Sequence, residues 1–545
     1  MKRVTAVFLC LMLCLPTAGL AQDFLVSEAA LAAPRALTVT LQTDDPDFQA
    51  AIEAVNSGSL LDALNTLARV TGDERAAQLS AYTQALLALQ REDPASAASL
   101  WLSTSGFLDS DAQLLLTKAL QTHRSLQDGA FGYVNAEGAW VVPPQFDWAE
   151  RTFRRESAQW SDDGTQVVVV AKVFQGDTDV LNGDLQPVNG TYGLLRNDGT
   201  LAVPLRYTDV LWTNGGVAAV TDAQGVWLYD LPAAKVLGGP YTAVGLYREG
   251  YIPVQQDGLW GYYSPVADEM LGSGFQWQTA LPFCEGLAAV SADKLYGYID
   301  TKGSTVIPLA YQGAASFGEG LAGVRVQKRW GFINTSGTMV IEPAFAGVQS
   351  FQSGACAARK GDRWGLINTV GTWILPAKYS EITEFDPVYH RAWIRLNKLW
   401  GLVSMGGNVV LKPTWSQHDA FNGNTLCRVA YRNLYGYIDS NGKARIGSDY
   451  VQAAPFTGGY GGVEDTAGTV RYLDKAQRGF TLASDVPTEC RGGFLEARQI
   501  TTTETPGQDE VGRPTVTVEL HIAYALYDIS GKTIPVARYE AAAQP

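Results

Sequence analysis

Charged residues make up only 18% of this 545-residue chain, a low share for a soluble protein. Histidine is scarcer still. His123, His390, His418 and His521 fall in four separate segments, with no ligand-like spacing to Cys, Asp or Glu. No serine nucleophile elbow, phosphate loop or zinc-protease motif occurs. These absences argue against an enzyme and against a bound metal or other cofactor; His390, in a turn, reads as solvated. After the first residues no apolar run is long enough to span a bilayer. Positive charge is in deficit, with a formal net charge of −14. Such a surface repels phosphate backbones and anionic headgroups, which excludes nucleic acid and a polybasic membrane mode.

The start of the chain reads as an export signal over residues 1–21. Lys2 and Arg3 precede the apolar run Val4 to Leu15, Pro16 breaks it, and Gly19-Leu20-Ala21 offers small residues for cleavage after Ala21. Cys10 and Cys14 lack the small-residue pair of a lipoprotein box. The expected product starts near Gln22, with no transmembrane segment, and resides outside the cytoplasmic membrane: extracellular, in the cell envelope or periplasmic.

Residues 22–128 read as a small all-α segment. Apolar residues recur at helical spacing in Phe48-Ile52-Val55, Leu61-Leu64-Leu67 and Leu86-Leu87-Leu89, behind an acidic entry, Asp44-Asp45-Pro46-Asp47. Ala63 to Leu67 matches Ala97 to Trp101 at an offset of 34, which resembles the helix-turn-helix unit of tetratricopeptide repeats. An ordinary bundle of about four helices is an equal reading.

Glycine (56) and aromatic residues (14 Trp, 24 Tyr, 19 Phe) are abundant, a pairing that suits short strands and tight turns. From residue 129 to 475 an aromatic-glycine pair recurs, anchored at Phe131, Tyr192, Trp260, Tyr296, Trp330, Trp364, Trp400 and Tyr435. Worn copies at Val226-Trp227 and Val470 to Asp474 bring the array to about ten units of ~35 residues. Seven residues after most anchors comes a turn glycine, such as Gly303 or Gly442, where a hairpin needs positive φ. Fifteen residues after the anchor an aromatic returns, from Phe146 to Tyr450. Just before it a proline, such as Pro308 or Pro376, marks a strand end or edge. Eight residues before the anchor lies a small residue: Ala288, Ala322, Cys356, Ala392 or Cys427. A fixed small slot implies tight packing between neighbours. The fold expected is mainly β, an array of short-stranded units in a propeller-like arrangement, with an open β-solenoid as the alternative.

Several positions repeating in phase make the units resemble the WG-containing repeat, a bacterial family. Lys294-Leu295-Tyr296-Gly297-Tyr298-Ile299-Asp300 and Arg329-Trp330-Gly331-Phe332-Ile333-Asn334 carry the likeness most clearly. The resemblance implies a binding or scaffold role and no reaction.

Residues 476–545 differ from the array and read as a β cap or small β-domain, with the alternation Val516-Val518-Leu520-Ile522 suggesting a half-buried strand. Cys356 and Cys427 share the small slot, so they are expected to be buried and not bonded to each other; Cys284 and Cys490 are left open. Turns rich in Asp, Asn and Gly are too short for EF-type calcium loops. Glu285 and Glu319 share a slot that Ser353 fills in the next unit, so they are not an opposed catalytic pair. The anchors read as structural core. The off-phase Trp277, Trp373 and Trp393 are the candidate surface-binding aromatics. The function expected is an exported, non-enzymatic scaffold for a protein or cell-envelope partner; the alternative is a lectin-like module stacking cell-wall glycans on surface aromatics.

Overall fold

A computed structural model of the chain describes residues 39 and 41–536, except 72, 91–93, 106, 109, 111–112, 115–116, 118–121, 159–165, 182–183 and 509–513. The expected leader, residues 1–21, lies outside the described residues. Strand accounts for 53% and helix for 10%, so the protein is mainly β.

Among the described residues four helices come first: Pro46–Asn56, Leu60–Leu67, Glu74–Gln90 and Pro94–Ser103. The Asp45 carboxylate caps the first, accepting from the N–H groups of Asp47 and Phe48. Phe48, Ala51, Ile52 and Val55 then fall on one buried face. The two stretches matched at an offset of 34 lie in the second and fourth helices. Strand structure begins at His123–Gln127, inside the segment expected to be helical. That strand is hairpinned to Ala130–Val134, so the array starts earlier than its first aromatic-glycine pair.

The described strands form eleven small antiparallel sheets in a propeller-like arrangement: eight of four strands, one of five and two of three. Ten carry the expected units. The eleventh, Cys490–Arg491, Phe494–Gln508 and Pro514–Asp528, comes from the tail. No helix lies between residues 257 and 446.

The sheet of the Tyr296 unit shows how sequence becomes structure. Its strands are Thr279–Ala280, Leu287–Ala292, Leu295–Asp300 and Thr305–Tyr311, each hydrogen-bonded to the next. Tyr296 pairs with Tyr311, but Tyr298 pairs with Ile307, so the outer strand bulges across Gly297. A Cβ on Gly297 would lie 2.5 Å from the Ile307 carbonyl oxygen. The anchor glycine is therefore set by close backbone approach, and the Trp330, Trp364 and Tyr435 units repeat the register shift. At the far hairpin Asp300 Oδ1 accepts from the N–H groups of Lys302 and Ser304. Asn334, Asn368 and Asp439 do the same two and four residues on. The oxygens that could suggest calcium loops thus hold turns.

The chain divides into two compact units. One centres on Val210–Thr414 and contains six four-stranded sheets, whose successive faces share continuous apolar clusters. The other comprises Ala33–Glu156, Val167–Asp209 and Trp415–Pro545, and holds the helices and five sheets. In the second unit the first and last sheets of the array are neighbours. Arg124, on the first, forms a two-pronged ion pair with Glu496 on the last, at 3.1 and 3.2 Å.

Candidate functional site

In the Val210–Thr414 unit, three consecutive repeats end in the same structure. Arg325 lies directly across from Trp330 on adjacent strands, Arg359 from Trp364, and Arg395 from Trp400. Each guanidinium sits over its indole, at 6.0, 5.5 and 5.1 Å from the ring centre. Arg325 and Arg359 also donate to the backbone carbonyls of Gln312 and Ala346. Gly313 and Gly347 leave room for these groups: a Cβ would come 3.1 Å from the Trp330 ring and 3.2 Å from Arg359 Nε. In the third repeat Glu381 stands at that place and pairs with Arg395 at 3.2 Å.

Each Arg–Trp pair lies one pair from a two-residue hairpin turn, and the turns carry further cations. Lys328 and Arg329, Lys360 and Arg363, and Lys398 are all exposed. Residues 325–412 hold eleven Lys and Arg against five Asp and Glu, although the whole chain is at −14. The net charge on which the sequence reading rested conceals this basic rim.

A cation over the anchor ring recurs elsewhere. Arg124 covers Phe131, Lys172 Nζ lies 4.2 Å from the Tyr192 ring centre, and Arg428 covers Tyr435. Phe131, Trp260 and Trp330 are buried. Tyr192, Tyr296, Trp364, Trp400 and Tyr435 are half-buried. The anchors thus pack the units but sit at their margin. The deepest aromatic position, two residues further on, was not singled out in the sequence. It holds Tyr133, Tyr262, Tyr298, Phe332 and Tyr437, all buried. The hydroxyls of Tyr133, Tyr262 and Tyr298 donate to the carbonyls of Glu150, Leu281 and Ala315 in the following sheet, at 2.8, 2.7 and 2.8 Å. A phenylalanine twenty-one residues after the anchor meets these rings, as Phe317 meets Tyr298 at 4.9 Å and Phe351 meets Phe332 at 4.8 Å. Its recurrence at Phe317, Phe351, Phe385, Phe421 and Phe456 was there to be read.

Of the three candidate surface aromatics, Trp393 needs correcting, while Trp277 and Trp373 are half-buried. Trp393 is 4% exposed, inside the strand Arg391–Leu396. Trp373 packs edge-on against Phe345 of the preceding sheet, at 5.7 Å. Trp277 exchanges backbone hydrogen bonds with Trp260 at 2.7 and 3.0 Å. It takes the cross-strand place expected for Phe275, because a turn at Gly272–Gly274 lengthens that unit by two residues. Spacing alone made it look off-phase.

The shared turn carboxylates also find a role. Glu249 accepts from the N–H groups of Glu285 and Gly286. Glu285 accepts from Gly320, and Glu319 from Gly354, at 2.9 and 2.7 Å. Each glutamate ties its own turn to the next repeat, and the series stops where Ser353 takes the slot. Among the histidines, His390 adopts φ 55° in the slot held elsewhere by glycine, and is half-buried rather than solvated. His418 Nδ1 contacts the Asp419 carbonyl.

The buried ionic cluster of the second unit joins residues far apart in sequence. His123, Arg124 and Glu496 are buried, and Arg151 Nε lies 3.4 Å from Glu496. Asp184 lies 3.5 Å from Arg124 and accepts from the Tyr524 hydroxyl. Burial alone would raise the Glu496 carboxyl; Arg124 above all outweighs it and holds it near 2. Burial pushes the His123 imidazole down to about 4, which the Glu496 charge offsets only in part. Among the described residues no group of three or more His, Cys, Asp or Glu is placed to hold a metal ion, and no helix is long and apolar enough to cross a membrane.

Six stretches match the WG containing repeat family. They are residues 131–156, 241–260, 296–329, 330–364, 364–400 and 435–465. The three Arg–Trp pairs fall within these matched stretches. Among curated proteins none matches the chain. Solved structures with some likeness include a eukaryotic initiation factor, 11% identical over 54% of this chain and 94% of that one, with a TM-score of 0.37. Another is PorZ, a surface component of the type-IX secretion system of Porphyromonas gingivalis, 11% identical over 76% of this chain and 57% of that one, TM-score 0.23. A third is the WD40 β-propeller domain of Doa1, 13% identical over 42% of this chain and 90% of that one, TM-score 0.22.

Proposed function

We propose that this protein is an exported, non-enzymatic scaffold that holds a protein partner in the cell envelope on its WG-repeat array. The observation that carries this reading is the threefold Arg–Trp pair on consecutive repeats. Cations over anchor rings also brace other sheets, but here they stand on three consecutive repeats beside the exposed Lys328, Arg329 and Arg363, a row suited to engaging a partner. The lectin-like alternative loses Trp393, which is buried, and keeps only the half-buried Trp277 and Trp373. Export rests on the charged start, apolar run and Gly19-Leu20-Ala21 end.

The test uses the mature chain as bait on envelope extracts, alongside a panel of soluble cell-wall glycans. Recovery of one protein in stoichiometric amount, with tryptophan fluorescence unmoved by the glycans, is the expected result. Saturable quenching by a glycan, with no protein retained, would overturn the reading in favour of a lectin. N-terminal sequencing of exported material should begin near Gln22; retention in the cytosol with Met1 intact would refute export.

A further inference from the structure

We propose that the basic rim of the Trp330, Trp364 and Trp400 repeats binds an extended acidic polypeptide segment, lying across the three hairpin turns with its carboxylates on the arginines. The proposal rests on the scaffold reading above and specifies its partner.

Four observations lead to it. Stacking on an indole fixes the plane of a guanidinium while leaving N–H edges to donate, and a planar fork suits a carboxylate. Arg325 and Arg359 each donate from one Nη to a backbone carbonyl, which orients the group. Arg395 already holds a carboxylate, that of Glu381, at 3.2 Å; the rim thus shows its ligand chemistry once within the chain itself. Lys328, Arg329 and Arg363 add exposed charge beside the pairs.

Spacing favours a polypeptide. Sheets pack about 10 Å apart and an extended chain advances about 3.3 Å per residue, so an acidic residue at every third position keeps step with the repeats. Apolar surface favours it too. Leu259 and Leu295, each 39% exposed, occupy the position before the anchor in the two preceding repeats, the place held by Arg329 and Arg363 in the basic ones. An anionic polysaccharide would supply charge but no apolar side chain to cover them.

The experiment is fluorescence anisotropy on the full mature chain. The probe is a labelled peptide of about twelve residues with glutamate at every third position and leucines toward one end. Controls are the same peptide with glutamine for glutamate, and polygalacturonate as an anionic polysaccharide. The expected result is saturable binding of the glutamate peptide, no binding of the glutamine peptide, and severalfold weakening between about 0.05 and 0.5 M salt. The combined variant Lys328→Glu, Arg329→Glu, Arg363→Glu changes only exposed turn residues, and its fold is checked by circular dichroism. It should lose about tenfold or more in affinity. Equal binding by the folded variant, or by the glutamine peptide, would overturn the proposal. So would binding of polygalacturonate with none of the peptide. If the variant retains an envelope partner as well as wild type does, the rim assignment fails while the scaffold reading stands.

Discussion

The thiol of Cys356 donates to the carbonyl oxygen of Gln349, at 3.0 Å. In the preceding repeat the equivalent carbonyl, that of Ala315, is served by the Tyr298 hydroxyl, and the slot equivalent to Cys356 holds Ala322. The residue equivalent to Tyr298 is Phe332, which has no hydroxyl. A thiol on one strand thus replaces a phenol on another. Cys427 likewise donates to the Asp419 carbonyl. The expected outcome is that Cys356→Ala costs about 1 kcal/mol, because it leaves a buried carbonyl without its donor. Phe332→Tyr added to Cys356→Ala should recover most of that loss. Urea unfolding of the single and double variants gives the cycle; strict additivity would contradict the exchange.

The same geometry fixes the redox state. All four described cysteines are buried and unbonded, and burial pushes the Cys356 thiol well above its ordinary value. Cys356 and Cys427 should therefore resist alkylation in the native protein and react fully once it is unfolded without reductant. A peptide containing Cys356 joined to Cys427 would contradict the repeat alignment.

The turn glutamates should act as small, independent ties between repeats. Glu249→Ala, Glu285→Ala and Glu319→Ala are each expected to cost about 0.5 kcal/mol, since their hydrogen bonds lie at an exposed edge. The triple variant should melt lower than any single one. Differential scanning calorimetry reads all four.

Acid should loosen the unit that contains His123 and Glu496. His123 is held near 4 in the folded protein, below its ordinary 6.5, so the unfolded chain binds the extra proton between these values. Stability from this group is full above pH 6.5 and falls as pH drops toward 4, by roughly 3 kcal/mol at most. Glu496, held near 2, contributes stability above its ordinary 4.5 that is lost as pH falls from there toward 2. Unfolding midpoints from pH 7 to 4 should decline in wild type and flatten in His123→Gln. At neutral pH Glu496→Gln should cost about 3–5 kcal/mol, because Arg124 is left buried without its counter-charge. An unchanged midpoint in Glu496→Gln would contradict the cluster.

The array was legible because anchor, glycine and returning aromatic hold fixed offsets, and Tyr296 does pair with Tyr311 as that spacing requires. The tail was legible as a β cap or small β-domain but not as an eleventh sheet of the arrangement, since Cys490 to Asp528 carries no aromatic-glycine pair. The inner aromatic position escaped notice because Tyr298, Phe332 and Leu366 differ in chemistry while filling one space. Trp277 misled because two inserted residues shift a spacing without changing the pairing. The Arg124–Glu496 pair joins residues 372 apart, which no local pattern reports. The basic rim was masked by an acidic total: each Arg lies five residues before its Trp, a spacing that becomes a contact only through the hairpin between them.

Hydrogen exchange read by mass spectrometry, with and without the protein recovered from envelope extracts, tests the central claim most directly. Bound partner should slow exchange at hairpins 326–329, 360–363 and 396–399, which carry or adjoin the Arg–Trp pairs. Protection confined to the Glu249, Glu285 and Glu319 turns, or absent from the array altogether, would contradict it.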